Sequence, residues 1–299
     1  ERSRLVLTLG PDMAERLLRY RPQGKTIWVP LWSGGSVEER ESVIKEYRNR
    51  HGWKESEVVF LYSGNLGLGH VFGDFFEVIG ARGEDQATRW IFCGRGGRRA
   101  EIEAFVEAHG TYPVALWDYV DQSMLPVHMA AADVHLVSLD PGWDGCMLPS
   151  KFQASFAAGR PVVLVGSGTS SLGRWMVASG GGWLVAPGDV QGLHRAVEEA
   201  LDPNERRRRG AKARAFGAIR SKTKLQPNWR RVGGGCGEGC LSAPLGNPTG
   251  RPFDELFLKK RSLFLNYQVY GSNLEIAVRS TLCINVSLPY WRSSPSLLR

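Results

Sequence analysis

VVFLYSGNLGLGH, residues Val58–His70, changes character in its middle. Five apolar residues, Val58 to Tyr62, break abruptly into Ser63-Gly64-Asn65-Leu66-Gly67-Leu68-Gly69-His70, and Val71, Phe72, Phe75, Phe76 and Ile79 then follow at helical spacing. The order reads as a buried strand, a glycine-rich turn and the opening of a helix. Glycines let a backbone come close to a ligand, and a helix start offers unpaired N–H groups carrying partial positive charge. A phosphate is the natural guest. The spacing is neither GxGxxG nor GxxxxGK[ST], so the turn alone is also consistent with a simple tight connection.

Downstream, short apolar runs recur at Trp90–Cys93, Val114–Trp117, Val134–Val137, Pro161–Val165 and Trp183–Val185. Amphipathic patterns separate them, such as Ile102/Phe105/Val106 and Val190/Leu193/Val197/Leu201. Nearly all-apolar strands alternating with helices predict an α/β fold, a doubly wound parallel sheet covered on both faces, over about residues 58–210. In that architecture ligands bind beyond the carboxyl ends of the strands.

Three further strand ends carry chemistry. After Cys93 comes Gly94-Arg95-Gly96-Gly97-Arg98-Arg99, a second glycine turn with fixed positive charge; a guanidinium fork suits a diphosphate. After Trp117, Asp118-Tyr119-Val120 could frame a flat base. After Val137 comes LDPGWDGCMLPSKFQASFAAGRPVV, where Pro149-Ser150-Lys151 predicts a helix start whose amides, hydroxyl and ammonium converge on one anion. Gly159 stands at the C′ position of that helix. The competing reading makes Ser150 a cap and Lys151 a solvated cation. Asp144, before Gly145, is either a sugar contact or a turn residue; Cys146 reads as a small buried residue.

The upstream segment holds a short strand (Leu5-Val6-Leu7), a helix led by Pro11-Asp12-Met13, and a strand at Thr26–Pro30. Ser36 and Glu39 form a capping box for a charged helix up to His51, read as exposed or linking. The opening, ERSRLVLTLG, has neither an initiating Met nor a signal-peptide layout, and the expectation is a chain lacking its true beginning. No apolar run approaches the roughly 20 residues of a membrane-spanning helix. Cys93, Cys146, Cys236, Cys240 and Cys283 are too scattered for a disulfide scaffold, which favours a reducing, cytoplasmic setting.

The net charge of +8 is concentrated: 12 Lys/Arg face 4 Asp/Glu between Arg195 and Arg231. That stretch is either a solvated helical face or a surface drawn to anionic membrane. It lacks the aromatic interleaving of a nucleic-acid site. Beyond Val232 the chain runs through GGGCGEGC without helical or strand periodicity; no second ligand pair completes a zinc site with Cys236 and Cys240. Residues 232–299 are expected to be an irregular tail, out of frame or foreign, and loosely packed.

At YSGNLGLGH, FCGRGGRRAEIEAF, AAADVHLVSL, LPSKFQASFAAGRPVV and GGGWLVAPGDVQGLHRAVEEAL the chain resembles the donor domain of GT-B glycosyltransferases of the family 4 type, above all the bacterial exopolysaccharide and colanic-acid enzymes. The resemblance covers about 58–231. It implies that residues 1–57 are the end of an acceptor-binding domain plus linker, and that the sheet is one Rossmann-like half of the fold. It further implies transfer of a sugar from a nucleotide-diphosphate donor to an acceptor hydroxyl, with retention and with no metal or cofactor. By position, Gly64, Asn65, Gly67, Leu68, Gly69 and His70 would approach the donor phosphates. Arg95 and Lys151 would offset their charge. Tyr119 and Val120 would border the base, and the Asp144–Pro149 loop, with Gly145 and then Ser150, would face the sugar. The partners implied are a nucleotide sugar and a lipid-linked acceptor, with peripheral contact at the inner face of a membrane through 195–231.

Two departures stand out. Many members carry a Lys just after the first glycine turn, where this chain has Gly69-His70. Many carry two Glu eight apart in the site loop, where this chain has Cys146 and Ala154. His70 is then either a phosphate ligand or a helix-start residue. Two other classes remain open at this level: a nucleotide-sugar-binding module without turnover, and a sugar-nucleotide epimerase of the same architecture.

Overall fold

The computed structural model describes residues 5–22, 24–28, 40–220, 264–270 and 273–279. It divides into two compact units, Glu1–Thr223 and Lys224–Arg299.

The first unit is built on six strands: β3 (Val58–Ser63), β4 (Thr88–Cys93), β5 (Val114–Trp117), β6 (Val134–Ser138), β7 (Val162–Val165) and β8 (Gly182–Val185). They are preceded in the chain by β1 (Leu5–Thr8) and β2 (Lys25–Trp28), a separate parallel pair. All six pair in parallel, in the order β5-β4-β3-β6-β7-β8. The order reverses between β3 and β6, and that is where a doubly wound sheet opens a crevice for a ligand.

Alternation along β3 explains why its whole run is apolar. Val58, Phe60 and Tyr62 point into one core with Trp90, Phe92 and Leu136; Val59 and Leu61 point into another with Ile91 and Cys93. Phe60 and Trp90, register partners on adjacent strands, stack with centroids 4.4 Å apart. The first face is covered by α3 (Gly73–Arg82), α4 (Arg99–Ala108) and α8 (Val190–Leu201), through Val78, Ile102 and Leu193 among others. The opposite side carries α2 (Glu41–Arg50) and α5 (Leu125–Ala131), then α6 (Lys151–Ala157), α7 (Ser171–Ser179) and α9 (Pro203–Arg220) around Phe152, Phe156, Leu172 and Ala213.

Three expectations need correcting. α3 begins at Gly73, because Val71 and Phe72 belong to the loop and Phe72 plugs the core from there; the glycine turn is therefore not the helix start, and His70 is not a helix-start residue. α2 is not a free linking helix: Tyr47 is buried with its hydroxyl 2.9 Å from His128 Nδ1, and Arg48 donates to Ala131 O and pairs with Asp133 at 3.0 Å. Its proposed capping box, Ser36 and Glu39, lies outside the described residues. Cys146 is exposed, since Gly145 turns the chain at φ +73° and delivers it to the surface. Gly159 closes α6 at φ +69° as expected.

The upstream segment β1–α1–β2, with α1 at Pro11–Leu18, packs on the same unit. Asp12 accepts from Ser171 N at 2.9 Å, and Arg16 donates to Asp144 O at 2.9 Å. In the second unit β9 (Phe264–Tyr270) and β10 (Asn273–Arg279) form an antiparallel pair with Leu265 in register with Val278 and Tyr267 with Ile276. Their period-two apolar pattern around Gly271-Ser272 is a hairpin signal in a tail expected to have no periodic structure. Cys236 and Cys240 lie outside the described residues, as do 221–231 of the basic stretch.

Candidate functional site

The two glycine turns lie one upon the other at the carboxyl edge of the sheet. Gly64 N donates to Cys93 O and Gly94 N to Trp117 O, which extends the parallel ladder past the strand ends. Leu66 N then donates to Arg95 O at 2.8 Å, and Arg98 N returns to Leu66 O at 2.9 Å. The glycines are what permit this approach. A Cβ on Gly94, at φ +144°, would stand 2.0 Å from Gly64 O; one on Gly96, at φ +152°, would stand 2.4 Å from Leu66 O. The zipper uses those amides but leaves others open: in the structure the N–H groups of Gly67, Leu68 and Gly69 donate to no described protein acceptor. Leu68 itself is 66% exposed.

Beneath the turn sits Lys151. It is the first residue of α6, yet its side chain is only 9% exposed and reaches back to the end of β3. Its Nζ donates to Tyr62 Oη (2.5 Å), to Asn65 O (3.3 Å) and to His70 Nε2 (3.1 Å), and lies 4.0 Å from the Tyr62 ring centroid. The missing Cβ of Gly64 makes room for it: a Cβ there would be 3.3 Å from Lys151 Cε. His70 Nδ1 donates to Ser138 O at 2.6 Å across the switch point, which fixes the tautomer and leaves Nε2 as the acceptor for Lys151. All three acceptors around the ammonium are uncharged, and no carboxylate pairs with it among the described residues.

The electrostatics follow from that. Burial drives the Lys151 ammonium well below the ordinary lysine range. Burial, then the adjoining Lys151, lowers His70 to about 4, so its ring is neutral at physiological pH. Burial pushes the Tyr62 phenol up, which keeps it a neutral donor to Asn65 O at 3.1 Å. The cluster is a buried cation held only by neutral groups. Such a centre is expensive without an anion nearby.

The other residues singled out in the sequence fall into separate groups. Arg95 is 67% exposed and makes a two-pronged pair with Asp118, Nε–Oδ1 3.0 Å and Nη2–Oδ2 2.9 Å; it bonds neither to His70 nor to Lys151. The Tyr119 hydroxyl donates to Arg95 O at 3.4 Å and its ring is exposed, while Val120 packs under the sheet with Trp117. Asp144 and Gly145 turn toward α1: a Cβ on Gly145 would be 2.8 Å from Asp12 O. Burial raises the Asp144 carboxyl above its usual range, and its Oδ1 has no hydrogen-bond partner among the described residues. Pro149 is buried; Ser150 is exposed and its hydroxyl makes no cap to α6. The structure thus brings Gly64, Asn65, His70 and Lys151 into one cluster, with Arg95 and Tyr119 paired beside the adjoining turn.

Sequence reasoning missed Tyr62, Ser138 and Arg98. Arg98 donates to His70 O and holds the end of the turn. The only signal was its place among the three arginines of the second glycine turn, which does not say which one turns inward. Among the described residues no group of three or more His, Cys, Asp or Glu is placed to hold a metal ion, and no helix is long and apolar enough to cross a membrane.

Comparison with known proteins shows what this geometry is similar to. Residues 57–203 match the model of the group 1 glycosyl transferases. A probable glycosyltransferase of Pseudomonas aeruginosa, WbjE, is 37% identical over 208 residues, 66% of this chain and 49% of that protein. The chain therefore spans about half the length of this curated relative. Among solved structures, WaaG, a glycosyltransferase involved in lipopolysaccharide biosynthesis, superposes with a TM-score of 0.61 at 18% identity, covering 74% of this chain and 60% of that one. Anabaena HepE, solved with UDP-glucose, gives 0.61 at 17%, covering 75% and 62%. Residues 57–203, just under half of the chain, are thus similar to the group 1 glycosyl transferases, and their sheet has the Rossmann-like architecture of a GT-B half.

Proposed function

We propose that this chain binds a nucleoside-diphosphate sugar at the carboxyl edge of its sheet and serves its transfer, with retention, to an acceptor hydroxyl. The observation that carries the reading is Lys151: a buried ammonium with three neutral acceptors, beneath the turn whose Gly67, Leu68 and Gly69 amides have no acceptor among the described residues. A diphosphate supplies the missing negative charge. As the bond from the sugar to the diphosphate breaks, charge grows on the leaving oxygens, and pre-placed donors stabilise that charge without reorganising. Lys151 and the amides fill this role, with Arg95 at the rim; His70, Tyr62 and Ser138 hold Lys151 in place. No step in this reading needs a resident metal or cofactor. Asp144, Gly145 and Pro149 would border the sugar.

A uridine diphosphate sugar is the first donor to test, because HepE was solved with UDP-glucose. The envelope role, with a lipid-linked acceptor and contact at the inner, cytoplasmic face of a membrane, draws on the process named for WaaG and on the basic stretch 195–231. Calorimetric titration of the chain with UDP, GDP and their sugars tests the reading directly. Tight binding lost in Lys151→Met supports it. Binding without sugar release would assign the chain a binding role alone. Failure to bind any of these nucleotides would overturn the reading.

A further inference from the structure

At the opposite, amino edge of the sheet lies a cavity of about 400 Å³. Four of its lining side chains are Arg160, Arg206, Arg207 and Arg214, and among the described residues that line it the only acidic one is Asp133. That is a net of three positive charges, and Asp133 is already engaged: it accepts from Arg48 at 3.0 Å and from Val59 N at 2.9 Å.

Part of this arginine cluster has a structural explanation. In a doubly wound sheet the covering helices all end at the amino edge, where their last carbonyls carry partial negative charge. Arg160 donates to Ala130 O at the end of α5, Arg214 to Ala158 O at the end of α6, and Arg206 to Ala200 O and Leu201 O at the end of α8. Capping does not account for the whole cluster. A guanidinium has five N–H donors. Among the described residues, Arg160 uses one donor nitrogen on Ala130, Arg206 uses only Nη1 on its two carbonyls, and Arg207 uses Nη2 on Asn204 Oδ1 and caps no helix end. These four arginines line one recess, and among the described residues that line it there is no second carboxylate. Burial pushes the Arg160 and Arg206 guanidinium groups below their usual range; Asp133 opposes this and the neighbouring arginines add to it. Close packing keeps the recess in shape, since a Cβ on Gly210 would stand 2.5 Å from Gly159 O.

We propose that this cavity binds a phosphate-class anion, either a soluble diphosphate or the headgroup of an anionic phospholipid. The planar forks match phosphate oxygens, and bidentate bonds to them are the strong ones. The site is separate from the carboxyl-edge cluster and does not depend on the function proposed for it.

The test titrates the full chain with sodium pyrophosphate, with and without saturating UDP, and floats it with phosphatidylglycerol or phosphatidylcholine vesicles. Arg207→Glu is exposed and makes one local bond, so it leaves the fold intact; Arg206→Gln is the second variant, and thermal melts confirm folding of both. The expected result is binding that each variant weakens at least about tenfold, the factor of one lost charge-assisted hydrogen bond, with UDP affinity unchanged. Variant-sensitive binding of pyrophosphate identifies a soluble ligand; variant-sensitive flotation with phosphatidylglycerol alone identifies a headgroup. If neither probe binds at millimolar concentration, or both variants bind like the parent chain, the proposal is wrong.

Discussion

The two edges of one sheet solve opposite electrostatic problems with different materials. At the carboxyl edge, helices and turns present N–H groups, and the chain adds one buried lysine and several glycines that bring backbone close to backbone. At the amino edge helices present carbonyls, and the chain answers with long arginines that reach over their ends. Backbone donors are placed to within tenths of an ångström and tolerate no side chain; guanidinium forks tolerate some movement. The contrast teaches that precision at one edge rests on the absence of atoms, and satisfaction at the other on their reach.

Breaking the comparison is simplest at the glycines. Gly94→Ala places a Cβ against Gly64 O at a backbone angle alanine avoids, and should cost more than about 4 kcal/mol or prevent folding. Gly210→Ala at the amino edge meets one backbone carbonyl, Gly159 O, and at 210 there is no positive φ to strain the alanine, so it should cost about 2 kcal/mol by urea denaturation. If both cost the same, the asymmetry between the edges is false.

Acidity gives the next effect. His70 and His128 are held at about 4 and His135 at about 3, each mainly by burial. Their folded values lie below the unfolded 6.5, so below that pH the unfolded chain binds more protons. Stability should be intact above pH 6.5 and fall progressively toward pH 4, on the order of 3 kcal/mol per histidine at the lower limit. Melting curves across that range check the sign, and His70→Gln should remove about one third of the loss.

Lys151→Met should weaken UDP binding about 100-fold, while the melting temperature falls by no more than about 4 °C, because loss of the lysine's hydrogen bonds is offset by release of a desolvated charge. Arg95→Gln sits at the small end. Its ion pair is exposed, so stability should change by less than about 1 kcal/mol and UDP affinity by less than about tenfold. A larger effect from Arg95 than from Lys151 would move the centre of the site to the second turn.

Much of this was legible before any coordinates. The strands of the main sheet fall within two residues of their apolar runs because both faces are buried along most of them, the half-buried edge strand β5 excepted. Gly159 and the two glycine turns were readable because only glycine suits those backbone angles. Long-range placement was not. Nothing in the sequence gives the strand order, and thus that β6 brings Ser138 to His70. A lysine opening a helix looks solvated, and only the fold shows its side chain running back under Gly64. Val71 and Phe72 have helical spacing, yet Phe72 serves the core from a loop, so the pattern overran the true start of α3.

Seven residues long, α6 is fastened at both ends: Lys151 locks into His70 and Tyr62, and Gly159 just beyond lies against Arg214, with its carbonyl oxygen against Gly210. Each residue of a helix contributes about 1.5 Å of rise and about 100° of rotation. Inserting or deleting one residue there would swing one fastening to the wrong side of the rod. The segment can exchange side chains, but its length is fixed.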